Sequence, residues 1–284
     1  MSELPKRVMF ALVGAPLTIA LIYFGGWILA AALGAIAAIG AWELYRMSRE
    51  AGHEPLENAG IVLAASVPLM VHATYLGVFR VTVTVGVLIF LTLAAGVIWA
   101  RGTQRKPLVS LAVTVVGIVY PALVTYMYPI RYHDYVIDAR AGTVLLMLPI
   151  ALTWATDTGA YFVGRSMGRH KLIPSVSPAK TIEGAAGGVA IAVLAAWLYV
   201  IFLLRPLAHL SMLPVGLTLF AIIISCVGQI GDLAESLFKR DAGVKDSSRL
   251  LPGHGGILDR FDSLLFVLPV AYVLLGYFLK PAPG

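Results

Sequence analysis

The sequence predicts an all-α, polytopic integral membrane protein of about nine transmembrane helices, with its N-terminus on the cytoplasmic side. Three observations carry that prediction. Hydrophobic residues make up 59% of the 284 and charged residues 13%, with a mean hydropathy of +0.87, whereas a water-soluble domain carries about 25% charge. Apolar runs close to the ~20 residues needed to cross a ~30 Å hydrocarbon core recur along the whole chain. The 21 lysines and arginines fall unevenly between alternate connections, and that bias sets orientation.

The apolar runs lie at about residues 8–24, 27–45, 59–76, 81–100, 108–130, 141–165, 182–204, 210–238 and 258–279. A backbone in lipid must satisfy its own hydrogen bonds, so each run is read as a helix, with tilt or kinks where Gly and Pro interrupt it. Lys6 and Arg7 ahead of the first run resemble the start of a signal peptide. That run continues to Phe24, longer than the usual apolar core of a leader, and many more follow, so it is read as a retained span. No linker, low-complexity tract or repeat separates soluble domains. Residues 1–130 are expected to pack, dimerise or shape a lipid groove, and residues 131–284 to form the catalytic region.

With the N-terminus inside, sixteen of the 21 cations fall on the cytoplasmic side, leaving Arg80, Arg131, Arg140, Arg205 and Lys280 outside. Setting aside every cation from Lys239 onward leaves the bias at 11 against 4. The net charge of +6 does not point to nucleic acid, because the cations are scattered at the ends of apolar segments. Such placement serves topology and phosphate binding. The single cysteine, Cys226, lies in an apolar run and excludes a disulfide framework within the chain.

The first half is chemically quiet. Glu43, beside Trp42 and Tyr45, reads as part of an interfacial anchor cluster, and His72 near the end of its span has the same reading. The second half carries Asp157, Glu183, Asp232, Glu235, Asp259 and Asp262 within or beside its spans, where ionisable groups cost on the order of 2.5–3.5 kcal/mol or more at mid-bilayer and point to function. Ser177-Pro178, in the basic loop after the sixth span, can set up the cap and first turn of the seventh helix, with Lys180 and Glu183 on one face.

The polar island Ser236–Asp262 interrupts two apolar runs. Asp232, Glu235, Ser236 and Lys239 fall at i, i+3, i+4 and i+7, one helical face. Asp259 and Asp262 fall at i and i+3 across the loop. A hairpin of these helices would aim carboxylates and cations at one point. With no cysteine and one histidine nearby, Asp232, Asp259 and Asp262 suit a hard cation such as Mg²⁺, which commonly takes one or two protein carboxylates. Alternatively they neutralise Lys239, Arg240 and Arg260 in a buried hairpin. Gly253, Gly255 and Gly256 precede the ninth helix, where backbone N–H groups and the helix N-terminus can cradle an anion. Lys239, Arg240, Lys245 and Arg249 lie nearby, and His254 either donates to a phosphate oxygen or fixes the loop. Metal, phosphate and membrane together suggest phosphoryl or nucleotidyl transfer to a lipid.

On these residues the chain resembles the phosphatidate cytidylyltransferases, also called CDP-diacylglycerol synthases. The family signature Ser-x2-Lys-Arg-x4-Lys-Asp-x5-Pro-Gly-His-Gly-Gly-x2-Asp-Arg-x-Asp runs unbroken from Ser236 to Asp262. Asp157-x2-Ala160-Tyr161-x2-Gly164 and Ser177-Pro178-x-Lys180-Thr181-x-Glu183-Gly184 are similar to the family as well.

The resemblance implies the reaction of CTP with phosphatidic acid to give CDP-diacylglycerol and pyrophosphate, with Mg²⁺ and K⁺, by a homodimer in the cell inner membrane whose site faces the cytoplasm. It implies catalytic roles for Asp232, Lys239, Asp259 and Asp262, the three aspartates holding metal. Lys180, Lys239, Arg240 and Lys245 would meet substrate phosphates, and Ser177 and Ser236 would supply hydroxyls. The glycine loop would hold the triphosphate, with Asp246, His254 and Arg260 beside it. The alternatives are a CTP-dependent polyprenol or phytol kinase and, outside enzymes, an ion transporter. The Asp-x2-Asp-Gly-x2-Ala-Arg pattern of CDP-alcohol phosphotransferases is absent.

Overall fold

Backbone hydrogen bonding in lipid leaves a chain of this hydropathy little choice but helices, and the computed structural model consists mainly of them. It describes residues 3–78, 80–101, 106–250 and 255–282, with side chains from residue 14 onward. The helices are α1 (Glu3–Phe24), α2 (Gly26–Glu50), α3 (Glu57–Tyr75), α4 (Val83–Arg101), α5 (Pro107–Ala122), α6 (Met127–Arg131), α7 (Ala139–Met167), α8 (Ile182–Tyr199), α9 (Arg205–Ala208), α10 (Pro214–Asp241) and α11 (Leu258–Phe278). A 3₁₀ turn joins α5 to α6, and a π turn joins α8 to α9. Counting those joined pairs as one each, the helices among the described residues match the nine apolar runs one to one. Eight of them, from α2 onward, are long and apolar enough to cross a membrane; the described apolar part of α1 is Gly14–Phe24. The protein is an all-α, polytopic membrane protein.

The departures are four short strands in two antiparallel pairs. β1 (Lys171–Ile173) pairs with β2 (Ser177–Thr181), and β3 (Leu210–Met212) with β4 (Leu279–Pro281). β3 takes the first residues of the run expected from 210, so α10 begins four residues later at Pro214, and β4 follows α11, which ends at Phe278, one residue before the expected limit. Strands of three to five residues carry too few alternations to show in a sequence pattern.

The chain divides into two units. One comprises Met1–Leu17, Gly25–Tyr128 and Phe238–Phe261; the other comprises Thr18–Phe24, Pro129–Leu237 and Asp262–Gly284. In the first unit α2 packs on α3 and α5, and α4 on α5. Tyr45 of α2 is fully buried there and donates its hydroxyl to the Thr114 carbonyl at 2.8 Å. Gly60 and Gly117 leave room for its ring, since a Cβ on either would run into it.

In the second unit α7 packs on α8 through small residues. A Cβ on Gly184 would stand 2.8 Å from the Ala160 carbonyl oxygen, and one on Gly188 2.9 Å from that of Thr156. This is the small-x-x-x-small contact by which helices associate in lipid. Helices α10 and α11 approach in the same way: a Cβ on Gly231 would lie 2.8 Å from the Asp262 carbonyl oxygen.

Candidate active site

The second unit holds a cleft of about 370 Å³ lined by Asp157, Tyr161 and Arg165 of α7, Lys180 of β2, and Gln229 and Asp232 of α10. Its volume falls within the usual range for small-molecule sites. Three local features build it. The glycine contact of α7 with α8 brings the end of β2 against α7 (above). Thr181, in extended backbone, caps α8 by accepting the Gly184 N–H at 3.1 Å, so Lys180 sits just before the helix. Glu183 turns back to accept the N–H of Arg169 at 3.1 Å, that of His170 at 3.2 Å and the His170 ring nitrogen at 2.6 Å, fixing the preceding loop.

The expected cap at Ser177 is therefore corrected. Ser177 opens β2, and Lys180 lies on that strand rather than on a helical face with Glu183. Thr181 supplies an acceptor oxygen three residues before Gly184, and this local bond outweighs the Ser-Pro signal. Across the cleft, Lys180 Nζ lies 2.6 Å from Asp232 Oδ2, with 27% and 32% of the two side chains exposed. Ser236 Oγ reaches Asp232 Oδ1 at 3.4 Å. Asp157 opens to the same cleft; the sequence marks it as an intramembrane acid and gives it no role. Asp262 begins this unit's part of α11, and its Oδ1 accepts the Ser263 N–H at 2.6 Å.

The first unit holds the rest of the island. Lys239 at the end of α10 and Asp259 in the first turn of α11 form a largely enclosed ion pair at 2.6 Å. The other oxygen of Asp259 accepts the Ser247 N–H at 2.9 Å, the Ser247 hydroxyl at 2.8 Å and the Gly256 N–H at 2.8 Å. Four donors thus converge on this carboxylate, three of them on one oxygen. Gly255 turns the chain with φ +76°, and a Cβ there would stand 2.5 Å from Asp259 Oδ2. The Gly256 N–H, expected to face an anion, goes to Asp259 instead. The N–H groups of Ile257 and Leu258 go to Glu43 of α2, at 2.9 and 2.7 Å. Arg240, Lys245, Asp246 and Arg260 are exposed. Gly253 and His254 lie outside the described residues.

Glu43 requires the largest correction. It is no interfacial anchor: it has no exposed surface and accepts hydrogen bonds from the island turn. The available signal was an acid inside an apolar run, which by default marks function. His72 is likewise buried, between Trp27 and Tyr128, and its ring nitrogen hydrogen-bonds the Tyr128 hydroxyl.

Among the described residues no group of three or more His, Cys, Asp and Glu side chains comes together to hold a metal ion. The cleft nevertheless offers the two carboxylates of Asp157 and Asp232 and no sulfur or imidazole. That donor set fits Mg²⁺, which fills its remaining positions with water and substrate phosphate.

Fold and cleft define a polytopic membrane protein whose ionisable groups gather at the ends of its helices, with cations and carboxylates suited to phosphate chemistry. The chain belongs to the cytidylyltransferase family, whose model matches residues 5–278. It is similar to the phosphatidate cytidylyltransferase of Bacillus subtilis, 47% identical over 137 residues, which are 48% of this chain and 49% of that one. It is also similar to proteins of the same name from Staphylococcus epidermidis, 51% identical over 134 residues (47% and 50%), and Staphylococcus saprophyticus, 48% identical over 142 residues (50% and 53%). The chain thus spans about half the length of the curated relatives it matches.

Proposed function

We propose that this protein transfers the cytidylyl group of CTP to phosphatidate, giving CDP-diacylglycerol and pyrophosphate. The observation that carries the reading is the unbroken Ser236–Asp262 signature in a chain of the cytidylyltransferase family. The names of its relatives support the same substrates.

In this reaction a phosphatidate phosphate oxygen attacks the α-phosphorus of CTP. The new P–O bond forms as the bond to the β-phosphate oxygen breaks, and pyrophosphate leaves with that electron pair. The acceptor is already ionised, so no general base is required. The protein's work is to position the two phosphates in line and offset their charge. Lys180 and Arg165 line the cleft and would meet phosphate oxygens. The resemblance adds Lys239, Arg240, Lys245 and Arg260 as phosphate-binding cations, and Ser177, Ser236, Asp246 and the glycine turn as further substrate contacts. Asp157 and Asp232 would hold Mg²⁺, whereas Asp262, expected from the resemblance as a ligand, does not line the cleft. When bound, Mg²⁺ would neutralise phosphate charge and polarise the reacting phosphorus, with K⁺ as a second ion. Asp259 serves mainly to hold Lys239 and the turn.

A second cleft, of about 220 Å³, supports a lipid role for the first unit. Leu44, Met47, Ala112, Val113, Val116 and Phe238 give it apolar walls suited to an acyl chain. The working form would be a homodimer in the cell membrane with its site on the cytoplasmic side.

The test uses purified protein in detergent with K⁺, phosphatidate, and each of the four nucleoside triphosphates, following pyrophosphate and the lipid product. Pyrophosphate with CTP, matched by CDP-diacylglycerol and abolished by chelating Mg²⁺, is the expected result. CDP release with a lipid alcohol as acceptor would move the protein to the kinase reading.

A further inference from the structure

Glu43 lies about two hundred residues before the island and belongs to no part of the signature. Its side chain has no exposed surface. Its oxygens accept three hydrogen bonds, and all three donors come from the island turn. Oε1 accepts the Ser248 hydroxyl at 2.6 Å and the Ile257 N–H at 2.9 Å. Oε2 accepts the Leu258 N–H at 2.7 Å and stands 3.2 Å from the Ser247 hydroxyl oxygen, whose proton goes to Asp259 at 2.8 Å.

Ile257 and Leu258 stand at the start of α11, where N–H groups have no intrahelical partner. The carboxylate therefore does from another helix what a capping residue does locally, and the helix N-terminus favours its charge. The Ser247 hydroxyl lies within hydrogen-bond reach of both Glu43 and Asp259. A Cβ on Gly256 would collide with Glu43 and Ser247, while the Gly256 N–H goes to Asp259. Glu43 and Asp259 thus grip one turn from two sides, and Asp259 in turn holds Lys239.

We propose that Glu43 is a positioning residue for the cytidylyl transfer. By fixing Ser248 and the first residues of α11, it sets where Asp259 and Lys239 stand. It touches no substrate. The inference rests on the transfer reading for its kinetic consequence, but not for its structural one. Replacement by Gln preserves the shape but leaves one acceptor oxygen for three donors, and turns an NH₂ toward the others.

The test compares Glu43→Gln, Glu43→Asp and Ser248→Ala with the wild-type full chain in detergent, by hydrogen exchange and steady-state kinetics. In Glu43→Gln, exchange is expected to quicken at Ile257 and Leu258 and stay unchanged in α3 and α7. The KM for CTP or phosphatidate is expected to rise by about tenfold, as misplacement of a binding group would cause. Glu43→Asp, which keeps the carboxylate, should recover part of both effects. A smaller folded fraction would lower kcat alone and leave both KM values in place.

Wild-type exchange at Ile257 and Leu258, or wild-type KM for both substrates, would overturn the proposal. If Glu43→Gln cannot be purified folded, Ser248→Ala removes one donor from Oε1 and is held to the same two measurements, with smaller shifts. Failure of the wild type to use CTP and phosphatidate would overturn the transfer reading instead; the exchange measurement would still decide whether Glu43 holds the turn.

Discussion

Lys239 of α10 and Asp259 of α11 pair at 2.6 Å with 12% and 8% of their side chains exposed. A pair so enclosed gains little over an apolar substitute, but removing one partner leaves an uncompensated charge, at a cost of about 3–5 kcal/mol. The two partners are not equivalent. Lys239→Met leaves Asp259 with its three donors from Ser247 and Gly256, whereas Asp259→Leu takes the acceptor from those donors and the carboxylate from Lys239 together. Asp259→Leu should therefore lower the melting temperature in detergent more than Lys239→Met. The double variant should melt above Asp259→Leu alone, because Lys239→Met then removes the charge left without its carboxylate. Additive losses would mean that the pair is not coupled. All three variants should lose turnover.

The ion pair in the cleft behaves differently. Lys180 and Asp232 lie equally close, but about a third of each side chain is exposed. Pairs of that kind contribute about 0–1 kcal/mol, so Lys180→Ala should leave the melting temperature within a degree or two. If Lys180 meets a substrate phosphate, its loss should nevertheless lower kcat/KM by about tenfold or more, the scale of a lost charge-assisted contact. A large fall in melting temperature with unchanged kinetics would make Lys180 a structural residue and remove it from the site.

The contrast between these two pairs marks what the sequence could and could not convey. The helices were legible because each needs a long apolar run, and the match from α2 to α11 rests on length and hydropathy alone. The motif residues were legible as a group through charge and spacing. Their division of labour was not. Nothing local distinguishes Asp259, met by four donors, from Asp232, which faces an open cleft. The glycines of the island suggested room for an anion, but Gly256 makes room for Glu43. That partner stands in another helix, and a contact between residues so far apart leaves no trace in the spacing of either segment. Thr181 outcompeted Ser177 as a cap through one hydrogen bond to Gly184, a choice between two plausible acceptors that backbone geometry alone settles.

Orientation can be tested within the second unit. Helix α7 has 29 residues, so it is about 44 Å long, more than the ~30 Å hydrocarbon core. Its two ends must then emerge on opposite sides. The loop before it carries Asp134 and the hairpin after it carries Lys171, both exposed. The cation bias assigns the hairpin to the cytoplasm and the preceding loop to the outside. In a Cys226→Ser background, a cysteine introduced by Asp134→Cys should react with an impermeant maleimide on intact spheroplasts. One introduced by Lys171→Cys should react only after the membrane is opened. The reverse pattern would invert the topology and put the Lys180–Asp232 cleft on the side away from cytoplasmic CTP, which would remove the proposed substrate from the site. The labelling therefore tests the reaction as well as the orientation, because a nucleotide supplied in the cytoplasm can be used only by a site that opens there.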